Sequence, residues 1–321
     1  MPPRLLKFEI PNRPRQIGAS EVSLDRVRAA TVVRRRHAGR WVAAAVIVLT
    51  LCLLIHSAIT NPRFGWAVVW EYFFSGPILS GLGLTLELTA VASLISLVAG
   101  TILALMRMSP NPVLRLSSAA YIWFFRSVPL LVQIIFFYNF SALYPNIALS
   151  IPFVPSFGST NVNAIVTPFV AALLGLSFNE SAYTAETVRG GILSVSKGQW
   201  EAAKAVGFRP GQTIRLIVLP QAMKVFLPPF GNQVVNLLKL TSLVSIVALA
   251  DLLYSAELIY SRTFQTIPLL IVASLWYLIV VSILSFGQNA LERRLSADSK
   301  TPASRDFLRK FLGISMVARN S

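Results

Sequence analysis

Six apolar runs, each set off by a polar stretch, constrain this chain more than any other feature. They extend from Trp41 to Ser57, Leu82 to Met106, Tyr121 to Leu143, Ala164 to just past Phe178, between Phe226 and Leu253, and Ile267 to Phe286. A helix rises about 1.5 Å per residue, so about 20 residues cross a hydrocarbon core of roughly 30 Å. Inside that core a backbone must satisfy its own polar groups, which a helix does within one segment. The expected fold is an all-α integral membrane protein with about six transmembrane helices. The composition agrees, with 55% hydrophobic and 13% charged residues over 321 positions. No fixed-period repeat relates the two halves.

Lysine and arginine concentrate in cytoplasmic loops, so their placement orients the chain. Of 29 such residues, 25 lie in the stretches 1–40, 107–120, 186–225 and 291–321. Both termini are therefore expected in the cytoplasm. Only Arg63 and Arg262 fall in outside loops, and none lies between Tyr144 and Asn163. The net charge of +16 is spread between apolar segments instead of forming one face, which argues against nucleic acid and leaves membrane lipid as the surrounding partner. Residues 1–40, with "RPR" and "RRRH", carry too few large apolar side chains to fold alone and read as a basic, disordered cytoplasmic tail or as an anchor to anionic lipid. Residues 41–57 form an extra N-terminal span, not a cleaved signal, because five more spans follow. Residues 291–321 form a second basic cytoplasmic tail. Cys52 is the single cysteine, and His37 and His56 stand apart from any carboxylate cluster, so neither a disulfide nor a metal site is expected.

Between the fourth and fifth runs lies a long basic loop, 186–225, that contains "GQWEAAKAVG". Good helix formers run from Gln199 to Val206, Glu201 sits in the first turn, and Gly207 is placed to stop the helix in a left-handed conformation. Pro210 and Gly211 reset the chain, and a second run, Gln212 to Leu219, ends where Pro220 interrupts it. Ala202 and Ala203 share a face with Val206, which presents small side chains to an approaching surface. An ordinary interfacial connector has the same periodicity.

Glu201-Ala202-Ala203, Gly207, Ile217, Leu219 and Pro220 together resemble the E-A-A…G…I-x-L-P signature of permease subunits from bacterial ABC importers. "GLTLELT" at Gly83 to Thr89, "PLLVQ" at Pro129 to Gln133, "NESAYTAETVRGGILSV" at Asn179 to Val195, "LPPFGN" and "KLTSLVSI" are similar to blocks of the polar amino acid permeases. Arg126-Ser127-Val128-Pro129 departs from that family's Arg-Gly-Thr-Pro. The resemblance implies an ABC importer type I permease fold over residues 80–290, in the bacterial inner membrane. It implies that the loop 186–225 is a coupling element docking on ATP-binding subunits through Glu201, Ala202, Ala203, Gly207, Ile217, Leu219 and Pro220. It further implies an extracytoplasmic solute-binding protein, a second permease subunit (a copy or a relative), and ATP with Mg held by the partner ATPase. This chain itself is expected to bind no cofactor, and it holds no G-x-x-x-x-G-K-[ST] phosphate loop.

Ionisable groups within apolar spans usually face a cavity or a partner, because each costs about 2.5–3.5 kcal/mol near the bilayer centre on insertion scales. Glu180, at the end of the fourth run, either meets the positive charge of an amino acid or pairs with Arg189 as an anchor. Lys239 either neutralises a substrate carboxylate or pairs with Glu180. Gln133 and Asn179 complete the candidate substrate path, whereas Arg126 is expected to snorkel to the inner headgroups. Glu87 and Asp251 read as hydrated or capping positions near the outer ends. A secondary transporter coupled through Glu180 or Asp251 is the rival reading, but the paired broken helices of such proteins are not evident. An intramembrane hydrolase would need a nucleophile with its base, and Asp251 stands alone.

Overall fold

The computed structural model of the protein describes residues 38–149 and 157–296. Expectations for the basic tails fall almost entirely outside these residues. Two units form the chain, one ending at Asn61 and one beginning at Pro62. The first is represented by helix α1, Ala38–Thr60, whose apolar stretch contains no buried residue and is long enough to span. Thr50 and Thr60 return their hydroxyls to the carbonyls of Val46 and His56, so α1 exposes little unpaired polarity.

The second unit contains helices α2 (Trp66–Phe73), α3 (Gly76–Met108), α4 (Pro112–Ser127) and α5 (Leu130–Tyr138). Next come strands β1 (Asn146–Leu149) and β2 (Phe157–Asn161), then α6 (Val162–Ile165), α7 (Pro168–Leu193) and α8 (Lys197–Ala205). Helices α9 (Pro210–Thr213), α10 (Leu219–Leu240), α11 (Leu252–Thr263) and α12 (Thr266–Ser296) complete it. Caps explain most starts: Asn111, Thr167 and Asp251 accept from Val113, Val170 and Tyr254 backbone N–H groups, and prolines occupy the first turns of α3, α4 and α7.

Helix α7 is the hub, packing against α3 most extensively and also against α10, α5 and α4. Small residues allow this. A Cβ on Gly100 would lie 2.7 Å from the Thr184 Cβ, one on Gly175 2.7 Å from the Ile134 Cγ1, and one on Gly191 3.0 Å from the Ala222 carbonyl oxygen. Without a hydrophobic drive between helices in lipid, such close approach is what yields dispersion energy. Two larger apolar clusters result. Leu88, Ile134, Leu176, Leu237 and Val244 form one, and Val69, Ile78, Leu252 and Leu269 form another towards α2.

Several sequence expectations change. Four helical stretches among the described residues are long and apolar enough to span, and the pair α4–α5 makes a fifth, bent candidate. The third expected span, Tyr121 to Leu143, is thus two helices meeting at 100°. The fourth is a helix that starts later and continues to Leu193, beyond the apolar signal at Phe178, because its polar residues face protein instead of lipid. Pro220 does not interrupt its helix: one continuous stretch runs from Pro210 to Val247. A π turn over Ile214–Val218 precedes the proline. Widening that turn draws the carbonyls away from the proline ring, which has no N–H to offer them. The otherwise helical chain also carries one antiparallel β1–β2 hairpin among its described residues, pairing Asn146 with Asn161.

Gly175→Val should lower the unfolding midpoint of the detergent-solubilised protein through overpacking worth about 1–3 kcal/mol, whereas Gly83→Ala, with nothing within 4 Å, should not. An unshifted midpoint for Gly175→Val, followed by thermal-shift fluorescence, would contradict the close-packing account.

Candidate functional site

The α4–α5 bend has a local cause. Val128 precedes a proline and is extended, at φ −87° and ψ 131°, so α4 cannot continue into α5. The last carbonyls of α4 then need donors from side chains. Gln133 Nε2 donates to the Phe125 carbonyl at 3.0 Å and to the Val128 carbonyl at 2.8 Å. From α7, Asn179 Nδ2 donates to the same Phe125 carbonyl at 2.8 Å. Both amides are almost completely buried, at 4% and 7% exposure. Gln133, expected on the substrate path, is not on the cavity wall; its amide nitrogen is committed to backbone.

Beside the bend opens a cavity of about 520 Å³. Arg126, Ser127 and Val128 form one wall, Asn179, Glu180 and Tyr183 of α7 another, and Asn232, Gln233, Asn236 and Leu240 of α10 a third. Glu180 is only 5% exposed, and its Oε1 has no hydrogen-bond partner. Gln233 donates through Nε2 to Thr187 Oγ1 at 2.9 Å, which leaves its own Oε1 buried and unpartnered. The Arg126 guanidinium lies 5.1 Å from the centre of the Tyr183 ring. A cation over a ring face is stabilised by the ring quadrupole. The cavity is thus lined by an exposed guanidinium and by two residues, Glu180 and Gln233, whose buried Oε1 atoms lack donors.

Of the expected path residues, Asn179 and Glu180 reach this cavity. Lys239 is exposed, is absent from the lining and makes no ion pair with Glu180. Arg189 pairs with Glu186 at 2.6 Å, not with Glu180, so the anchor reading of Glu180 loses its partner. Arg126, an exposed residue, also lines the cavity. Sequence reasoning missed Arg126, Tyr183, Gln233 and Asn236. A signal existed in the helical spacing of Asn179, Glu180 and Tyr183 and of Asn232, Gln233, Asn236 and Leu240, each of which places polar groups on one face.

The loop 186–225 is helical through most of its length. In α8, Trp200 packs towards Val195, Val218 and Ala222, which holds the short helix against the base of α10. Its C-terminus is a Schellman motif: Phe208 N–H donates to the Ala203 carbonyl and Gly207 N–H to the Lys204 carbonyl, both at 3.0 Å. Gly207 takes φ +83°, the left-handed conformation that its position predicts, and nothing lies within 4 Å of the point where a Cβ would project. Two details differ from expectation. The helix begins at Lys197, so Glu201 lies in the second turn, and Ala203 is buried while Ala202 and Val206 are exposed. Ala203 therefore packs inward, and the outward face consists of Glu201, Ala202 and Val206. Further on, Ile217 is half-buried, and Leu219 and Pro220 are exposed.

Asp251 is fully buried, not hydrated. It caps α11 through Tyr254 N–H and accepts a hydrogen bond from Tyr277 Oη, while the Leu252 N–H beside it donates to Thr85 Oγ1. Glu87 is exposed on α3. Among the described residues no group of His, Cys, Asp and Glu is placed to hold a metal ion.

Comparisons with known proteins agree with this architecture. Residues 96–297 match the family described as binding-protein-dependent transport system inner membrane component. The chain is 41% identical over 267 residues to the arginine transport system permease protein ArgU of Corynebacterium glutamicum, covering 82% of each. It is 36% identical over 233 residues to the L-cystine transport system permease protein TcyB of Bacillus subtilis, covering 72% of this chain and 91% of that one. The crystal structure of an amino acid ABC transporter with histidines superposes with a TM-score of 0.59 at 33% identity, over 68% of this chain and 94% of the other. With the family model matching well over half of its length, the chain belongs to the inner membrane components of binding-protein-dependent transport systems: it is a multi-pass permease subunit of an ABC importer, and ATP hydrolysis falls to a separate ATPase subunit.

Proposed function

We propose that this permease carries amino acids with a positively charged side chain, through the cavity between the α4–α5 bend, α7 and α10. The observation that carries this reading is that Glu180, a residue of the cavity wall, holds a buried Oε1 without a hydrogen-bond partner, with the buried Gln233 Oε1 as a second acceptor lacking a donor. Buried acceptors left without donors cost about 1–3 kcal/mol each, so they favour a ligand rich in N–H groups. A guanidinium or ammonium supplies those donors together with the opposite charge. Arg126, held over Tyr183, supplies the complementary site for the α-carboxylate, since arginine matches carboxylate geometry with two parallel hydrogen bonds. The relative with 41% identity is named for arginine transport, which accords with this chemistry.

Two ATP-binding subunits, with ATP and Mg, would dock against the outward face of α8 and its continuation, at Glu201, Ala202, Gly207, Ile217, Leu219 and Pro220. Ala203 would support that face from beneath. A rigid helix stopped by a Schellman motif transmits a push without bending, so ATP-driven movement of the docked subunits would rock α7 and α10 and alternate the cavity between the two sides. An extracytoplasmic binding protein would deliver substrate, and a second permease subunit would complete the transporter. Both termini would lie in the cytoplasm, as the distribution of basic residues requires. Ion coupling through Asp251 is disfavoured, because that carboxylate is committed to a helix cap.

Glu180→Gln should raise the KM for a cationic amino acid by roughly 10- to 100-fold, the loss of one charged hydrogen bond, while complex assembly is retained. Uptake by the reconstituted transporter decides this; wild-type kinetics would reduce Glu180 to a structural residue. Gly207→Asp should leave the chain inserted but break the link between ATP hydrolysis and uptake, since a side chain at this left-handed position costs about 1 kcal/mol and the added charge sits in the docking face. Normal ATP-driven uptake by that variant would remove the docking assignment.

A further inference from the structure

The cavity's two charged groups sit next to the two atoms of a single buried hydrogen bond. Asn179 Nδ2 donates to the Phe125 carbonyl at 2.8 Å, and Arg126 and Glu180 are the residues that follow Phe125 and Asn179. From these positions we infer that the Asn179–Phe125 bond is a ruler: it fixes the separation of Arg126 and Glu180 and so selects the length of the amino acid side chain. This rests on the reading of the cavity as the amino-acid site.

Three features make the bond suited to that role. First, the Phe125 carbonyl lacks the regular helical donor that would otherwise hold it, because the residue four positions on is Pro129, which has no N–H. That carbonyl is positioned by Gln133 from one side and Asn179 from the other, and only the Asn179 contact reaches across to the helix that carries Glu180. Second, the bond is nearly inaccessible to water, which would otherwise compete for the carbonyl. Third, the bond acts at the broken end itself: the tie in which Tyr121 Oη donates to the Phe178 carbonyl at 3.1 Å and meets Ser181 Oγ at 2.8 Å lies a turn earlier, and the contacts that accompany the bond at that end, Phe125 on Phe178 and Arg126 over Tyr183, are ring contacts without hydrogen-bond geometry. Gln133 shapes the bend itself; Asn179 sets its distance from Glu180. Asn179 is thus a positioning residue for specificity, acting through Arg126.

The test uses the complete transporter, reconstituted with its ATPase and binding protein. The KM is measured for 2,4-diaminobutyrate, ornithine, lysine and arginine, which differ in side-chain length. In wild type, one misplaced methylene should change KM by about tenfold or more, and in Asn179→Leu that spread should shrink to within about threefold, with the maximal rate reduced less than the KM values shift. An equal rise in all four KM values would overturn the ruler, since a merely structural residue weakens every substrate alike. If Arg126→Gln and Glu180→Gln both transport as wild type, the site reading fails, and a measurement that needs no substrate decides the ruler. Spin labels at Trp123→Cys and Gly190→Cys, in a Cys52→Ser background, report the separation of α4 from α7. Asn179→Leu should broaden or displace their distance distribution, and an unchanged distribution would refute the ruler.

Discussion

A proline in a membrane-embedded helix frees carbonyls that no water can reach, and the second unit of this protein is arranged around how those carbonyls are satisfied. At Pro129 the donors are two side-chain amides, Gln133 from the next helix and Asn179 from the central one. The cost of leaving such groups bare in hydrocarbon is several kcal/mol each, so the amides are as much a part of the fold as the apolar clusters. The extended Val128 ahead of Pro129 turns the chain through 100°, and Arg126, just before the bend, lines the cavity. Pro220 is handled differently: a π turn ahead of it absorbs the misfit and keeps the helix straight enough to span.

Helix α7 shows how one segment can be both hub and site. Its small residues, Ala171, Ala172 and Gly175, admit close neighbours, while Asn179, Glu180 and Tyr183 turn towards the cavity. Polar side chains are tolerated there because protein, not lipid, surrounds them. The result is a carboxylate without a partner cation among the described residues, opposite a guanidinium that rests on an aromatic ring.

The short helix α8 depends on a second local device. Trp200 and Ala203 fasten α8 to the base of α10, and Gly207 ends it in a left-handed turn that only glycine adopts without strain. Because π turn, α10 and cavity wall form one continuous helical stretch from Pro210 to Val247, a displacement at α8 has a direct mechanical route to Gln233 and Asn236.

Periodicity, length and charge asymmetry were enough to establish a polytopic helical membrane protein, and the residues from Gln199 to Gly207 were enough to place a short helix ended by a left-handed glycine. These features are local, and local rules govern them: rise per residue, the conformational freedom of glycine, the segregation of basic residues. Where the side chains of Gln133, Lys239 and Arg126 lie was not legible, because an intramembrane polar residue can face a cavity, a neighbour or a headgroup with the same sequence signature. Tertiary structure decided it by consuming the Gln133 amide at a broken backbone, placing Lys239 off the cavity wall, and laying Arg126 over Tyr183 from another helix. Partners separated by tens of residues, such as Phe125 and Asn179, meet only when helices pack, and it is that packing that determines which buried polar groups remain free to bind a solute.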